Sequence, residues 1–239
     1  MQMDVNIRAV VLDILTEIEK EGEFSHITIN NALLKYQYLD RTQRAFINRL
    51  SLGTIECRIE MDYILNQYSK TPVNRMKPLI RRIMRMAVYQ IIYMENVPDS
   101  AACNEAVKLA AKRGIDIRIV TPAIPDKKMI FRMTQSSYKE LLRAGVKIYQ
   151  YTPGFIHSKC ILTDDNLTSI GSINMDNRSF YHHFECGVLV YDSSIIAEVK
   201  YDMLSTMKES EEITLDWCKE HMSRITLVDA FLRLLSPLL

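Results

Sequence analysis

At Ala111-Lys112-Arg113-Gly114 the hydrophobic period of this chain changes, and the change requires two kinds of layer. Before it, apolar residues recur at helical spacing. After it, Ile115, Ile117 and Ile119 alternate with Asp116 and Arg118, as in a strand with one buried face. A helix stripe and a strand face bury themselves in different ways. The 239 residues, 48% hydrophobic and 25% charged, suffice for two small domains. The expected organisation is an all-α bundle over residues 1–113 and a mixed α/β domain over 114–239.

In the first half, Ile7, Val10, Val11, Ile14, Leu15 and Ile18 predict an amphipathic helix from Val5 to Glu19, ended at Gly22. A second helix, Thr28 to Tyr36, turns Ile29, Leu33 and Leu34 inward, and Asp40 caps a third carrying Phe46, Ile47, Leu50 and Leu52. Gly53 suits a close helix approach, and Asp62 to Tyr68 stays helical until Thr71-Pro72. Pro78 opens a central helix reaching Tyr93. Asp99 or Ser100 then caps Ala101 to Arg113, whose inner face holds Ala102, Ala106, Leu109 and Ala110.

The second half reads as a strand over 115–121, a loop from Pro122 to Pro125, a helix from Phe131 to Ala144 and a strand from Val146 to Tyr151. A hairpin follows, then a strand from Phe184 to Tyr191 and helices at Ser193 to Met207, Leu215 to Glu220 and Met222 to Leu235. Tyr181-His182-His183 has no ligand spacing and reads as loop or strand edge.

The chemistry is concentrated in the hairpin. His157-Ser158-Lys159-Cys160-Ile161-Leu162-Thr163-Asp164 alternates as a strand between the turns Thr152-Pro153-Gly154 and Asp164-Asp165-Asn166. His157 and Lys159 then share a face, an arrangement suited to a phosphate. Leu167 to Ser172 forms the partner strand and brings Ser172 and Asn174 to the same end as donors. Asp164 has the opposite parity from Lys159, which argues for a turn-capping place.

The pattern H-x-K-x4-D-x6-G-S-x-N resembles the signature of the phospholipase D superfamily. Leu141-Leu142-Arg143-Ala144-Gly145-Val146-Lys147-Ile148-Tyr149, Asn174 to Phe180 and Arg233 to Leu239 are similar to the C-terminal half of bacterial cardiolipin synthases, over about residues 110–239. The resemblance implies a two-step phosphatidyl transfer with no metal and no cofactor. His157 would be the nucleophile, and Lys159, Ser172 and Asn174 would hold the phosphate of a phospholipid or other phosphodiester. Glu185 matches the acidic residue that orients the histidine, and the motif counts Asp164 among the catalytic residues. One motif copy is present, so a homodimer would supply the second.

The bundle carries a second resemblance. Asn104 to Ala110, Pro78 to Arg85 and Tyr89-Gln90 are similar to the NusB-like domain at the front of bacterial ribosomal RNA cytosine-5 methyltransferases, without their cofactor domain. That implies RNA as a partner and no methyl transfer. Arg75, Lys77, Arg81, Arg82 and Arg85 form a basic strip that could follow an RNA backbone, and the same spacing suits a solvated bundle face. Tyr89 and Tyr93 read as core or boundary residues. The chain thus looks like a fusion or chimera joined near residues 111–114. Its alternative function is an RNA-binding module with a non-catalytic appendage.

Net charge of +1 points to no polyanionic partner, and five scattered cysteines form neither a disulfide framework nor a zinc pattern. No apolar run suits a membrane span and no signal peptide opens the sequence, so a cytoplasmic protein, at most peripheral at the inner membrane face, is expected.

Overall fold

A computed structural model describes residues 5–22, 24–69, 71–175, 179 and 184–222. The chain divides into two compact units between Ile115 and Asp116.

The first unit is all helical. Helix α1 (Ile7–Glu21) starts where the Asn6 side chain accepts from the Ala9 amide and stops at Gly22, whose φ of 66° is the left-handed conformation that closes helices. Helix α2 (Ser25–Lys35) buries Thr28, Ile29 and Ala32. Leu34, expected inward, is exposed, because Thr28 and Ala32 take the inner stripe. Helix α3 (Arg41–Glu56) begins with a capping box in which Asp40 and Gln43 satisfy each other's backbone amides. Helix α4 (Arg58–Tyr68) starts four residues earlier than its sequence pattern suggests, directly after α3.

Pro78 is the first residue of α5 (Pro78–Tyr93), which buries Ile83, Met86, Ala87 and Tyr89. The last helix, α6 (Asp99–Lys112), is entered from Pro98 with no side-chain cap, so neither Asp99 nor Ser100 plays the expected capping role. It packs on α5 and α1 and buries Ala102, Leu109 and Ala110. Gly53 lies against the Tyr89 ring, where a Cβ would come within 2.0 Å of Cζ. That contact explains a glycine inside α3 despite its helix cost.

The second unit holds two three-stranded sheets. In the first, β1 (Arg118–Pro122) pairs parallel with β2 (Lys147–Tyr151), which pairs antiparallel with β6 (Ser210–Ile213). The expected strand at 115–121 therefore begins later and ends at Pro122. The connection contains two helices, α7 (Lys128–Ser136) and α8 (Tyr138–Arg143), separated at Ser137, where one was expected. Ile148, Ile213, Val146, Tyr138 and Cys218 form the core of this sheet, and the Tyr138 hydroxyl lies 2.7 Å from Thr121 Oγ1.

The second sheet has the order β3 (Lys159–Thr163), β4 (Leu167–Gly171), β5 (Gly187–Tyr191), all antiparallel. Helix α9 (Ile195–Lys208) packs on β2, β6 and β4, and helix α10 (Leu215–His221) on α8. Cys160 Sγ and Met203 Sδ are 3.7 Å apart on the covered face. The other face is open, with Ile161, Leu189 and Tyr191 exposed. The helix expected from Met222 to Leu235 and the Tyr181-His182-His183 triplet lie outside the described residues, Met222 itself excepted.

Candidate active site

The hairpin register decides which motif residues can meet. Lys159 pairs with Gly171, and Gly171 with Gly187, at one end of the sheet. One step beyond, the Ser172 amide donates to the Cys186 carbonyl at 2.9 Å, and the Cys186 amide donates to Ser172 Oγ at 3.0 Å. His157, Lys159, Ser172, Asn174 and Glu185 therefore belong to the same end of the three strands. His157 precedes β3 by two residues instead of lying within it, as its expected strand position had required.

Each side chain there is held differently. Lys159 Nζ donates to the His157 carbonyl oxygen at 2.8 Å, so the lysine fastens the backbone that carries the imidazole. The His157 ring is exposed and stacks on Phe155, with centroids 5.7 Å apart and planes at 16°. Ser172 Oγ donates to Glu185 Oε2 in a short contact. Glu185, expected from the resemblance to orient the histidine, thus accepts the Ser172 hydroxyl through Oε2. Asn174 is exposed, and its amide donates to Ser179 Oγ at 3.2 Å.

Gly171 and Gly187 give this end its shape. A Cβ on Gly171 would come within 2.4 Å of the Cys186 carbonyl and 2.6 Å of Gly187 Cα, so two backbones approach more closely than any side chain permits. Lys159, Gly171 and Gly187 thus lie in register across the three strands, with Gly171 between the other two. Gly187 and Phe155 escaped the sequence reading. The only signal was a glycine opening an apolar strand and an aromatic two residues before His157.

Asp164 stands apart. It and Asp165 have φ of 49° and 61° and form the hairpin turn, with the Asn166 amide donating to the Thr163 carbonyl. At about 3.3 Å per residue, five residues of strand put Asp164 roughly 16 Å from Lys159. Its catalytic assignment is therefore corrected to the turn role that its parity indicates.

The family described as cardiolipin synthase, PLD-like domain, matches residues 79–207, more than half of the chain. The chain belongs to that family. Residues 5–117 also match the NusB family. An uncharacterized protein of Streptococcus mutans is 40% identical over 134 residues, which is 56% of this chain and 29% of the relative. Cardiolipin synthase 2 of Bacillus anthracis is 43% identical over 143 residues, 60% of this chain and 28% of that protein. The cardiolipin synthase of a Geobacillus species matches to the same extent. The chain spans less than a third of the length of these relatives. No solved structure matches.

The PLD-like match reaches back to residue 79, whereas the resemblance in the sequence began near 110, so α5 and α6 fall within both family matches. In the structure these helices belong to the bundle unit. Among the described residues, no helix of this PLD-like chain is long and apolar enough to cross a membrane.

The basic strip needs correction. Arg82 and Arg85 are buried at 7% and 8% exposure, and their guanidiniums reach Glu19 at 2.7 and 3.2 Å. Arg85 also clasps Asp62 through two 2.7 Å bonds, and Arg81 reaches Glu19 at 3.3 Å. Arg75 and Lys77 remain exposed. The period that suggested a surface stripe instead aims arginines at carboxylates on α1 and α4. Tyr89, buried and stacked on Tyr93 at 5.2 Å, offers no platform for a base.

Proposed function

We propose that the C-terminal unit transfers phosphatidyl groups, or cleaves related phosphodiesters, through a phosphohistidine on His157, in a site completed by a second copy of the chain. The supporting observation is the Lys159, Gly171, Gly187 register, which gathers five motif residues at one sheet end beside two bare glycines. In the first step an imidazole nitrogen of His157 bonds to phosphorus while the bond from phosphorus to the leaving glycerol oxygen breaks. That oxygen needs a proton, supplied by the imidazolium of the second His157. In the second step the acceptor hydroxyl gives its proton to that histidine, its oxygen bonds to phosphorus, and the phosphorus–nitrogen bond breaks. Both histidines return to their starting states.

Lys159 and Asn174 bind the non-bridging oxygens as charge builds on them. Glu185 acts through Ser172, fixing its hydroxyl as a positioning residue. Membership in the PLD-like family and the names of the relatives favour a phospholipid substrate.

The proposal makes activity a property of the dimer. Turnover of a phospholipid diester in EDTA should fall more steeply than linearly on dilution through dimer dissociation. Mixing wild type with a ninefold excess of His157→Ala should leave about a tenth of the wild-type specific activity, because few protomers then meet an intact partner. Activity that survives His157→Ala, or that stays linear in protomer throughout, would sink the reading.

A further inference from the structure

The geometry points to a second, unrelated oxyanion site inside the helical bundle, built by Arg58, Arg82 and Arg85. These three line a cleft of about 60 Å³ together with Leu15, Ile18, Glu19, Thr54 and Ile55. The volume equals several times the roughly 10–15 Å³ that one water needs, so it admits a small tetrahedral anion and excludes a nucleoside.

Charge favours an anion. Arg58, Arg81, Arg82 and Arg85 contribute four positive charges, and the carboxylates they contact, Glu19 and Asp62, two negative ones. The difference is +2. Glu19 is fully engaged, since Oε1 accepts from Arg85 and Oε2 from Arg81 and Arg82. Arg58 has no carboxylate partner among the described residues and stands exposed at the mouth.

Two donors of this arginine set are left over, the Nε–H groups of Arg81 and Arg82, and of these two residues Arg82 lines the cleft. Arg82 is more than nine-tenths buried, and its Nε–H has no acceptor among the described residues, although the same guanidinium reaches Glu19 through Nη2. A buried guanidinium donor without an acceptor is costly, and it calls for a water or an anion. Arginine forks match phosphate oxygens, and the apolar walls of Leu15, Ile18 and Ile55 strengthen the field inside the cleft. The ligand class is a phosphate group, either free inorganic phosphate or a phosphodiester.

The test titrates inorganic phosphate into the full chain at constant ionic strength balanced with chloride, and follows the methyl resonances of Ile18 and Ile55. The expected result is a saturable shift of both, weakened about tenfold or more by Arg58→Gln, the loss of one charge-assisted contact. Arg58 is exposed, so its variant keeps the fold. The shift should persist in a His157→Ala, Lys159→Ala double variant, which separates this site from the one proposed on the hairpin. A parallel titration with dimethyl phosphate identifies the source: equal binding indicates a diester, and binding of inorganic phosphate alone indicates the free ion. No saturable shift, an equal shift with chloride, or the same affinity in Arg58→Gln would overturn the inference.

Discussion

Gly171 and Gly187 are neighbours on one rung, yet the same substitution should affect them differently. A methyl on Gly171 meets the Cys186 carbonyl and Gly187 Cα, both backbone, so β5 must move; destabilisation of about 1–3 kcal/mol and loss of Ser172 amide protection are expected. A methyl on Gly187 finds its nearest neighbours at 3.5 Å, an ordinary contact. Gly187→Ala should therefore fold normally while adding a methyl to the row that Lys159 and Gly171 share with it, and turnover should fall with melting temperature unchanged. Tyr138 gives a pH test. Burial pushes its phenol above the ordinary value, so the folded chain holds the proton longer than the unfolded one. That contribution is intact below the unfolded pKa of about 10 and is lost as pH rises past it. Urea titrations at pH 9 and above should show wild type losing more stability than Tyr138→Phe, which at neutral pH is the weaker by about 1 kcal/mol for the lost Thr121 bond.

Among the elements, α5 and β1 should differ most in protection. Helix α5 buries residues on both sides of its stripe, Arg82, Ile83, Arg85, Met86, Ala87, Tyr89 and Gln90. In β1 only Thr121 is buried. Hydrogen exchange should be faster in 118–122 than in 78–93, and equal protection would contradict this account of the packing. The helices were legible because caps and periods agree: Asp40, Pro78 and Gly22 mark boundaries that the structure reproduces. Strand β6 was missed because Ser210-Glu211-Glu212-Ile213 has little strand propensity, and it exists only because β2 offers it a ladder. The hairpin and the gathering of His157, Lys159, Ser172 and Asn174 could be read from spacing, whereas Glu185 came from the family resemblance alone. The burial of Arg82 and Arg85 could not, since it depends on where α1 and α4 put Glu19 and Asp62, a tertiary fact that no helical period contains.

At the scale of the whole molecule, two units with separate cores should unfold in separate steps, and Gly53→Ala, which presses on Tyr89, should lower only the step belonging to the bundle, by roughly 1–3 kcal/mol. Calorimetry with and without the substitution distinguishes this from a single shared transition. The open sheets carry a further consequence, for handling. Among the described residues each sheet ends in two strands with one unpaired side. In the first sheet, Arg118 and Pro122 guard one border and Glu211 and Glu212 the other, and charge or proline there discourages backbone pairing with strangers. The β5 border of the second sheet reads Gly187-Val188-Leu189-Val190-Tyr191, without charge or proline, and Val188 and Leu189 are half or more exposed. Such a segment templates cross-β growth. Concentrated stocks should therefore gain light scattering and thioflavin fluorescence with time, and a single Leu189→Lys gatekeeper should extend their shelf life.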